Sequence, residues 1–267
     1  VKRQGGQVMF CDPEARLNKR FARLFGLDID EVEYGTPDTI SEVFGPIRKW
    51  EPEPAGKVHG IFADSLAALT TEWEMEDRDQ YGMRRAKEFS EQCRLTCRIL
   101  ARNNLLMVCS NQVRQNLDAG PYGQKYKSPG GEAIGFYASL RLRCLAPKKI
   151  KRERKIAGKK VSKVVGVETE IEIFKSSVWK PYHTAPIYIL YDYGIDDIRA
   201  NLQYIKSTTG ATKYAVGDQS LGVSIEDAIL QVEEDDLEDR LREEVIGLWE
   251  EVDRKFCVER RPKRRIR

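Results

Sequence analysis

The stretch "LLMVCSNQ", Leu105 to Gln112, is an apolar run that stops abruptly in a hydroxyl and two carboxamides. Two other runs stop the same way. "QVMFCD", Gln7 to Asp12, continues into Pro13-Glu14, and "VHGIFADS", Val58 to Ser65, ends in an aspartate and a serine. Helical periodicity follows these two. Leu17, Phe21, Leu24 and Phe25 recur at helical spacing between Ala15 and Phe25, and Phe89, Cys93, Cys97 and Leu100 between Tyr81 and Ala101. Short strands alternating with helices predict an α/β fold on a mainly parallel twisted sheet flanked by helices.

In open parallel sheets, ligands bind beyond the carboxyl ends of the strands. Glu14, Asp64 and Gln112 then converge on one edge. Their chemistry suits phosphoryl transfer to water. An aspartate after an apolar strand can hold a Mg²⁺ shell, and a nearby glutamate can orient or deprotonate the attacking water. A glutamine offers a donor and an acceptor without charge, so Gln112 can sense a terminal phosphate and pass that information to the loop it roots.

That loop runs from Arg114 to Gly131. Arg114, Lys125 and Lys127 suit backbone phosphates, and Tyr122 and Tyr126 offer faces on which bases stack. Gly120, Gly123, Gly130 and Gly131 permit close backbone approach and positive φ. About 18 residues without regular structure is long enough to suggest function, here binding to single-stranded nucleic acid.

Net charge over the 267 residues is only +3, so a nucleic-acid function must come from local patches. Charge is segregated: Lys148 to Lys163 is basic, Glu226 to Glu251 mostly acidic, and the last nine residues basic again. No run approaches the roughly 18–20 apolar residues of a membrane span. The six cysteines form no CxxC pair and His59 and His183 are isolated, which argues against a zinc site. Cys11, Cys109 and Cys144 sit in apolar, strand-like runs, where reduced cysteine acts as a small hydrophobe. A cytoplasmic location is expected.

At this point the residues resemble a known family. "DPEARLNKRFARLFGLDID" (Asp12 to Asp30), "PDT" (Pro37 to Thr39), "FADSLAALT" (Phe62 to Thr70), "SNQVRQ" (Ser110 to Gln115), "PGGEAIGFYASLRL" (Pro129 to Leu142) and "ILYDYGI" (Ile189 to Ile195) resemble the RecA-type DNA recombinases, in order and spacing. The resemblance implies a RecA-like ATPase core that uses ATP and Mg²⁺. It implies binding to single- and double-stranded DNA as a homo-oligomeric helical filament, with homologous pairing and strand exchange as the outcome.

Residue by residue, the resemblance makes Glu14 the glutamate that activates water, Asp64 the Walker B aspartate and Mg²⁺ ligand with Ser65 beside it, and Gln112 the γ-phosphate sensor. Asp12, Asn18 and Phe21 fall on the nucleotide side, the last two against adenine. Lys175 falls where the family reaches the ATP of a neighbouring subunit. Trp73 to Arg85, including Arg84 and Arg85, matches the first DNA-binding loop. Arg114 to Gly131 matches the second, with Tyr122 beside a glycine.

The chain departs from the family at Ser177 and Gly135, where the family carries basic residues, so sensing in trans is expected to be weaker or rewired. It also contains no G-x-x-x-x-G-K-[ST]. In the family that loop lies upstream of the strand ending at Asp12. The expectation is a chain that begins after the loop, an ATPase when complete, and a poor binder of ATP by itself.

"KIKRERKIAGKKVSKVVG" reads as an enlarged hairpin. Val167 to Trp179 and "APIYILYDYG" read as strands that add antiparallel members to the sheet. Ser224 to Phe256 reads as one or two amphipathic helices, the first capped by Ser224 and burying Ala228, Ile229 and Val232, the second striped by Leu237, Leu241, Val245, Leu248 and Val252. The expected division is an ATPase core over residues 1–200 and a helical region with a basic tail over 201–267. Two rivals stay open: a RecA-fold helicase or motor, and a non-enzymatic single-stranded DNA-binding module that has lost the phosphate loop.

Overall fold

The computed structural model describes residues 1–75, 82–116, 120 and 126–260. They fall into two compact units, Val1–Arg141 with Lys175–Trp179, and Leu142–Phe174 with Lys180–Arg267. The cut lies at Arg141, whereas the boundary expected at residue 200 falls inside a helix, Asp197–Thr209.

The first unit is built on four strands, β1 (Val8–Cys11), β2 (Glu33–Gly35), β3 (His59–Ala63) and β4 (Leu105–Cys109), in the order β2-β1-β3-β4. All three pairings are parallel, as the alternation of strand and helix requires. Its helices are α1 (Lys19–Leu24), α2 (Ile40–Ile47), α3 (Glu72–Met75), α4 (Gly82–Arg102) and α5 (Glu132–Tyr137). Met9, Cys11, Ile61, Ala63 and Leu105 face one way and pack with Ile40, Val43, Phe44 and Ile47 of α2 and Phe89 of α4. Phe44 and Phe89 meet edge to face at 6.4 Å. On the opposite face of β4, Leu106 and Val108 are exposed. Thr39 starts α2 with a full capping box to Glu42.

Two local expectations change. The helix after β1 is confined to Lys19–Leu24, because residues 12–17 form a turn with Ala15 at φ 51°. The basic loop is not wholly irregular. β5 (Arg114–Gln115) and β6 (Tyr126–Lys127) pair antiparallel at its base.

The later strands do not extend the parallel sheet. β7 (Leu140–Cys144), β8 (Lys148–Ile156), β9 (Lys159–Ser176), β10 (Thr184–Leu190) and β11 (Gly194–Ile195) form a five-stranded sheet of their own. β9 pairs antiparallel with both β8 and β10. Alternation along Val167 to Phe174 signalled a strand but carried no information about which sheet it joins. Cys144 is exposed in β7, against the expectation of a small buried hydrophobe.

In the second unit, α6 (Asp197–Thr209), the hairpin β12 (Tyr214–Val216) and β13 (Gln219–Gly222), α7 (Ile225–Glu234) and α8 (Glu238–Lys255) enclose a second core. Ile198, Leu202, Ile205, Val216, Leu221, Ala228, Val232 and Leu241 form it, with Ile229, Leu237, Val245 and Leu248 packed around. Ser224 caps α7, accepting from the Asp227 amide at 3.3 Å. No helix among the described residues is long and apolar enough to cross a membrane.

Candidate functional site

Strand register builds the site. Gly35, Cys11, Ala63 and Cys109 lie side by side across the parallel sheet. The next residue on three of these strands is therefore Asp12, Asp64 or Ser110, all at one rim. The backbone carries the ladder one step further: the Asp12 amide donates to Gly35 O at 2.8 Å, Asp64 to Cys11 O at 3.0 Å, and Ser110 to Ala63 O at 3.0 Å.

Side chains then stitch the rim together. The Ser65 hydroxyl donates to Glu14 Oε1 at 3.3 Å, and the Ser110 hydroxyl donates to Asp64 Oδ1. Glu14 Oε2 pairs with Arg16 at 3.0 Å. Asp64 is exposed and Ser65 buried, with a cis peptide between them. The ends of β1, β3 and β4 thus meet at one rim. Ser110 was missed by sequence reasoning, although its place immediately after β4, level with Asp64 after β3, was a usable signal.

Asp12 belongs to the scaffold of this rim. It is buried, and its carboxylate accepts from the amides of Arg16 at 3.3 Å and Leu17 at 2.8 Å and from the Tyr34 hydroxyl at 2.9 Å. These bonds shape the turn on which Glu14 rides. Burial first, then the bond to Asp12 and its charge, hold the Tyr34 phenol above its ordinary range. Burial also pushes the Cys11 thiol up to about 11 and that of Cys109 up to about 12, so both stay protonated in the core.

Asn18 caps α1, accepting from the Phe21 amide at 3.1 Å. Phe21 and Phe25 meet edge to face at 5.0 Å, and both are exposed, as is Leu24. This leaves an aromatic face on a short helix, as a stacking role requires.

Gln112 is exposed at the end of β4. Beside it, Asn111 accepts from the Gln112 amide at 3.0 Å and donates to Pro129 O at 3.1 Å. That bond ties the start of the basic loop to its exit. Arg114 pairs through the backbone with Lys127, and Tyr126 is exposed in β6. Tyr122 and Lys125 lie outside the described residues.

Gly130 and Gly131, at φ 89° and 76°, serve packing. A Cβ on Gly130 would sit 2.6 Å from Ile134 Cδ1 and 3.0 Å from Phe89, and one on Gly131 would sit 2.7 Å from Ala86 Cβ. Glycine lets the loop exit lie flat on α4.

The two arginines expected at the first loop differ. The Arg84 guanidinium lies over the Trp73 ring at 5.0 Å. Arg85 is turned inward: Nη2 donates to Leu66 O at 3.1 Å and Ala67 O at 2.6 Å. Burial lowers its pKa and Arg114 pushes the same way, against Glu74. Lys175 stands apart from the rim. Its ammonium donates to the carbonyls of Gly135 at 2.9 Å, Phe136 at 2.8 Å and Ala138 at 3.0 Å, closing the C-terminal end of α5.

Among the described residues, no three His, Cys, Asp or Glu side chains gather as a metal cage. The rim still suits Mg²⁺, which binds through one or two carboxylates, waters and substrate phosphates. Asp64 is the exposed carboxylate, steadied by Ser110. The sequence holds no match to the phosphate-cradling loop.

The family model described as the RecA N-terminal domain matches residues 1–196. Protein RecA of Acholeplasma laidlawii (strain PG-8A) is 29% identical over 231 residues, covering 83% of this chain and 66% of that protein. Protein RecA of Borrelia hermsii (strain HS1 / DAH) is 28% identical over 254 residues, 91% of this chain and 68% of that protein. The chain thus spans about two thirds of the length of these relatives. Among solved structures, one titled as the RadB recombinase covers 72% of this chain and 78% of its own, at 18% identity and a TM-score of 0.46. With the family match running over most of its length, the chain belongs to the RecA family.

Proposed function

We propose that the chain is the water-activating, γ-phosphate-sensing and DNA-contacting part of an ATP-dependent recombinase. It coats single-stranded DNA as a head-to-tail filament and promotes homologous pairing and strand exchange. The observation that supports this is the rim: three adjacent strand ends carry Asp12, Asp64 and Ser110 side by side, Ser65 bonds Glu14 and Ser110 bonds Asp64, and Asn111, beside Gln112, is hydrogen-bonded to the exit of the basic loop. ATP with Mg²⁺ supplies the phosphoryl group and the charge that offsets its oxygens. Asp64 and Ser110 hold the cation's side. Glu14, fixed by Ser65 and Arg16, orients water. Gln112 reads the terminal phosphate, and Asn111 couples that reading to the loop, where Arg114, Tyr126 and Lys127 meet the strand, joined by Tyr122 and Lys125.

Two assigned residues act through others in this reading. Arg85 positions the segment after Ser65, and Lys175 fixes α5, so its reach to a neighbouring nucleotide requires release of three carbonyls. Fluorescence anisotropy of a labelled single strand tests the proposal, with and without a slowly hydrolysed ATP analogue and Mg²⁺. In a form that also carries a phosphate-cradling loop, nucleotide-dependent binding that Gln112→Ala makes nucleotide-independent is the expected result, whereas this chain by itself should bind weakly and without regard to nucleotide. Binding indifferent to nucleotide in the form with the loop overturns the coupling and leaves a DNA-binding module without a switch.

A further inference from the structure

The second unit holds an open cavity of its own, about 400 Å³, within the range of ligand pockets. Pro186 of β10, Gln203, Tyr204, Lys206 and Ser207 of α6, and Tyr214 of β12 line it. The helix explains its floor. Ile198, Leu202 and Ile205 turn α6 into the second core. Gln203, Lys206 and Ser207, at i, i+3 and i+4, therefore share another face of the same helix. Pro186 lies two residues before Tyr188, on the same face of β10, and the Tyr188 hydroxyl donates to Gln203 Oε1.

The lining offers donors and hardly any acceptors. No aspartate or glutamate belongs to it. Lys206 is half-buried with Nζ 3.9 Å from the centre of the Tyr214 ring, and among the described residues no carboxylate pairs with it. Because Tyr188 takes the oxygen of the Gln203 carboxamide, the end left over is the nitrogen with its two hydrogens. The Ser207 hydroxyl is turned back onto Tyr204 O at 3.0 Å. Among the described residues, the hydroxyls of Tyr204 and Tyr214 bond no protein group. A half-buried ammonium facing only a ring has lost part of its hydration, and an anion brought to it offsets that loss. The tyrosine rings and Pro186 supply the apolar wall beside it.

We propose that this cavity binds an acidic, proline-bearing peptide segment of a protein partner. A carboxylate of the segment meets Lys206 and the Gln203 amide, and a proline ring lies against Tyr204 and Tyr214. Charge complementarity selects the acid, since the one formal charge in the lining is positive. The donor-rich lining selects the proline, which presents a carbonyl and no N–H. Aromatic-lined grooves take such segments in the polyproline II form, which loses little entropy on docking. A nucleic-acid strand fits less well: a lone ammonium meets one phosphate, and the amino groups of the bases find no carboxylate to accept from them. The site shares no residue with the rim or the basic loop, and it stands whether or not the reading given for those is correct.

Fluorescence anisotropy of the whole chain with labelled peptides of alternating Glu and Pro tests it, against Gln-Pro and Lys-Pro peptides of equal length and a labelled single DNA strand. The Glu-Pro peptide should bind about fivefold more tightly than Gln-Pro at about 0.1 M salt. Lys206→Gln should abolish that preference, Lys206→Arg should keep it, and Lys206→Glu should transfer it to the Lys-Pro peptide. Tyr204→Ala should weaken Glu-Pro and Gln-Pro alike. Thermal midpoints matching the unmodified chain confirm that each variant folds, and the Lys206 series decides the matter even where Tyr204→Ala does not. Equal affinity for the three peptides overturns the proposal, as does a preference that survives Lys206→Gln. If the Lys206 variants weaken single-strand binding and leave peptide binding intact, the cavity belongs to nucleic acid and the proposal fails.

Discussion

The two sheets use charge in opposite ways. At the rim of the parallel sheet there are few polar groups, and they are bonded across strands: Ser65 to Glu14, Ser110 to Asp64, Tyr34 to Asp12. Along the antiparallel ribbon of β8 and β9 there are many, and they stand in solvent. A rim of this kind works by position. Moving one oxygen by an ångström changes what it can hold. A ribbon works by summed field, to which each ammonium adds a small share that salt screens. Single substitutions should therefore be severe at the rim and mild on the ribbon.

The largest expected effect is at Asp12. Asp12→Ala removes the acceptor of three hydrogen bonds beneath the rim and leaves two amides and a phenol without their partner. These donors are only part-buried and can turn toward water, so the loss of three bonds to a buried charge should cost about 1–3 kcal/mol in total. Urea unfolding measures it. Tyr34→Phe should cost less, since the two backbone bonds survive. If Asp12→Ala melts like the unmodified chain, the rim is not held by position and the contrast with the ribbon fails.

Much of this was legible from residues alone. The three strands, their parallel pairing and their polar ends followed from apolar runs punctuated by Asp, Asn and Gln. Ser224 as a cap and Leu241 as a core position followed from helical spacing. What escaped the sequence was which partner a polar group finds. Asp12 and Asp64 both follow apolar runs, yet one is consumed by a turn and the other is exposed. The difference lies in Tyr34, a residue 22 positions away brought in by β2. Arg85 and Lys175 looked like ligand-reaching cations. Each is bonded to backbone carbonyls of an element whose end it closes. The separate antiparallel sheet was equally hidden, because an alternating strand pattern is the same in either sheet.

Lys175 sharpens the comparison at intermediate size. Its three donors meet three carbonyls at the end of a six-residue helix too short to hold itself. Lys175→Met keeps the length of the stem and removes the charge, and about 1–3 kcal/mol of stability should go with it. Lys175→Arg should recover part of that, since a planar fork cannot reproduce three converging ammonium bonds. A lysine whose loss leaves the unfolding midpoint unchanged would instead be one held for a ligand, and its place would be at a nucleotide.

The smallest effect belongs to the ribbon. Glu153 and Lys160 form an ion pair with side chains 50% and 69% exposed, on a stretch of hairpin that is exposed from Lys151 to Lys163. Exposed pairs contribute about 0–1 kcal/mol, and local repulsion among the neighbouring cations competes with this one. Glu153→Gln should shift the unfolding midpoint by less than the error of most measurements. The same substitution removes the only carboxylate between Lys151 and Val164. It should therefore raise the ribbon's affinity for a polyanion such as duplex DNA two- to threefold at low salt, with the gain vanishing at high salt. Stability flat and affinity rising is the signature of a field. If stability falls instead by more than about 1 kcal/mol, the ion pair is structural and the ribbon, like the rim, is held by position.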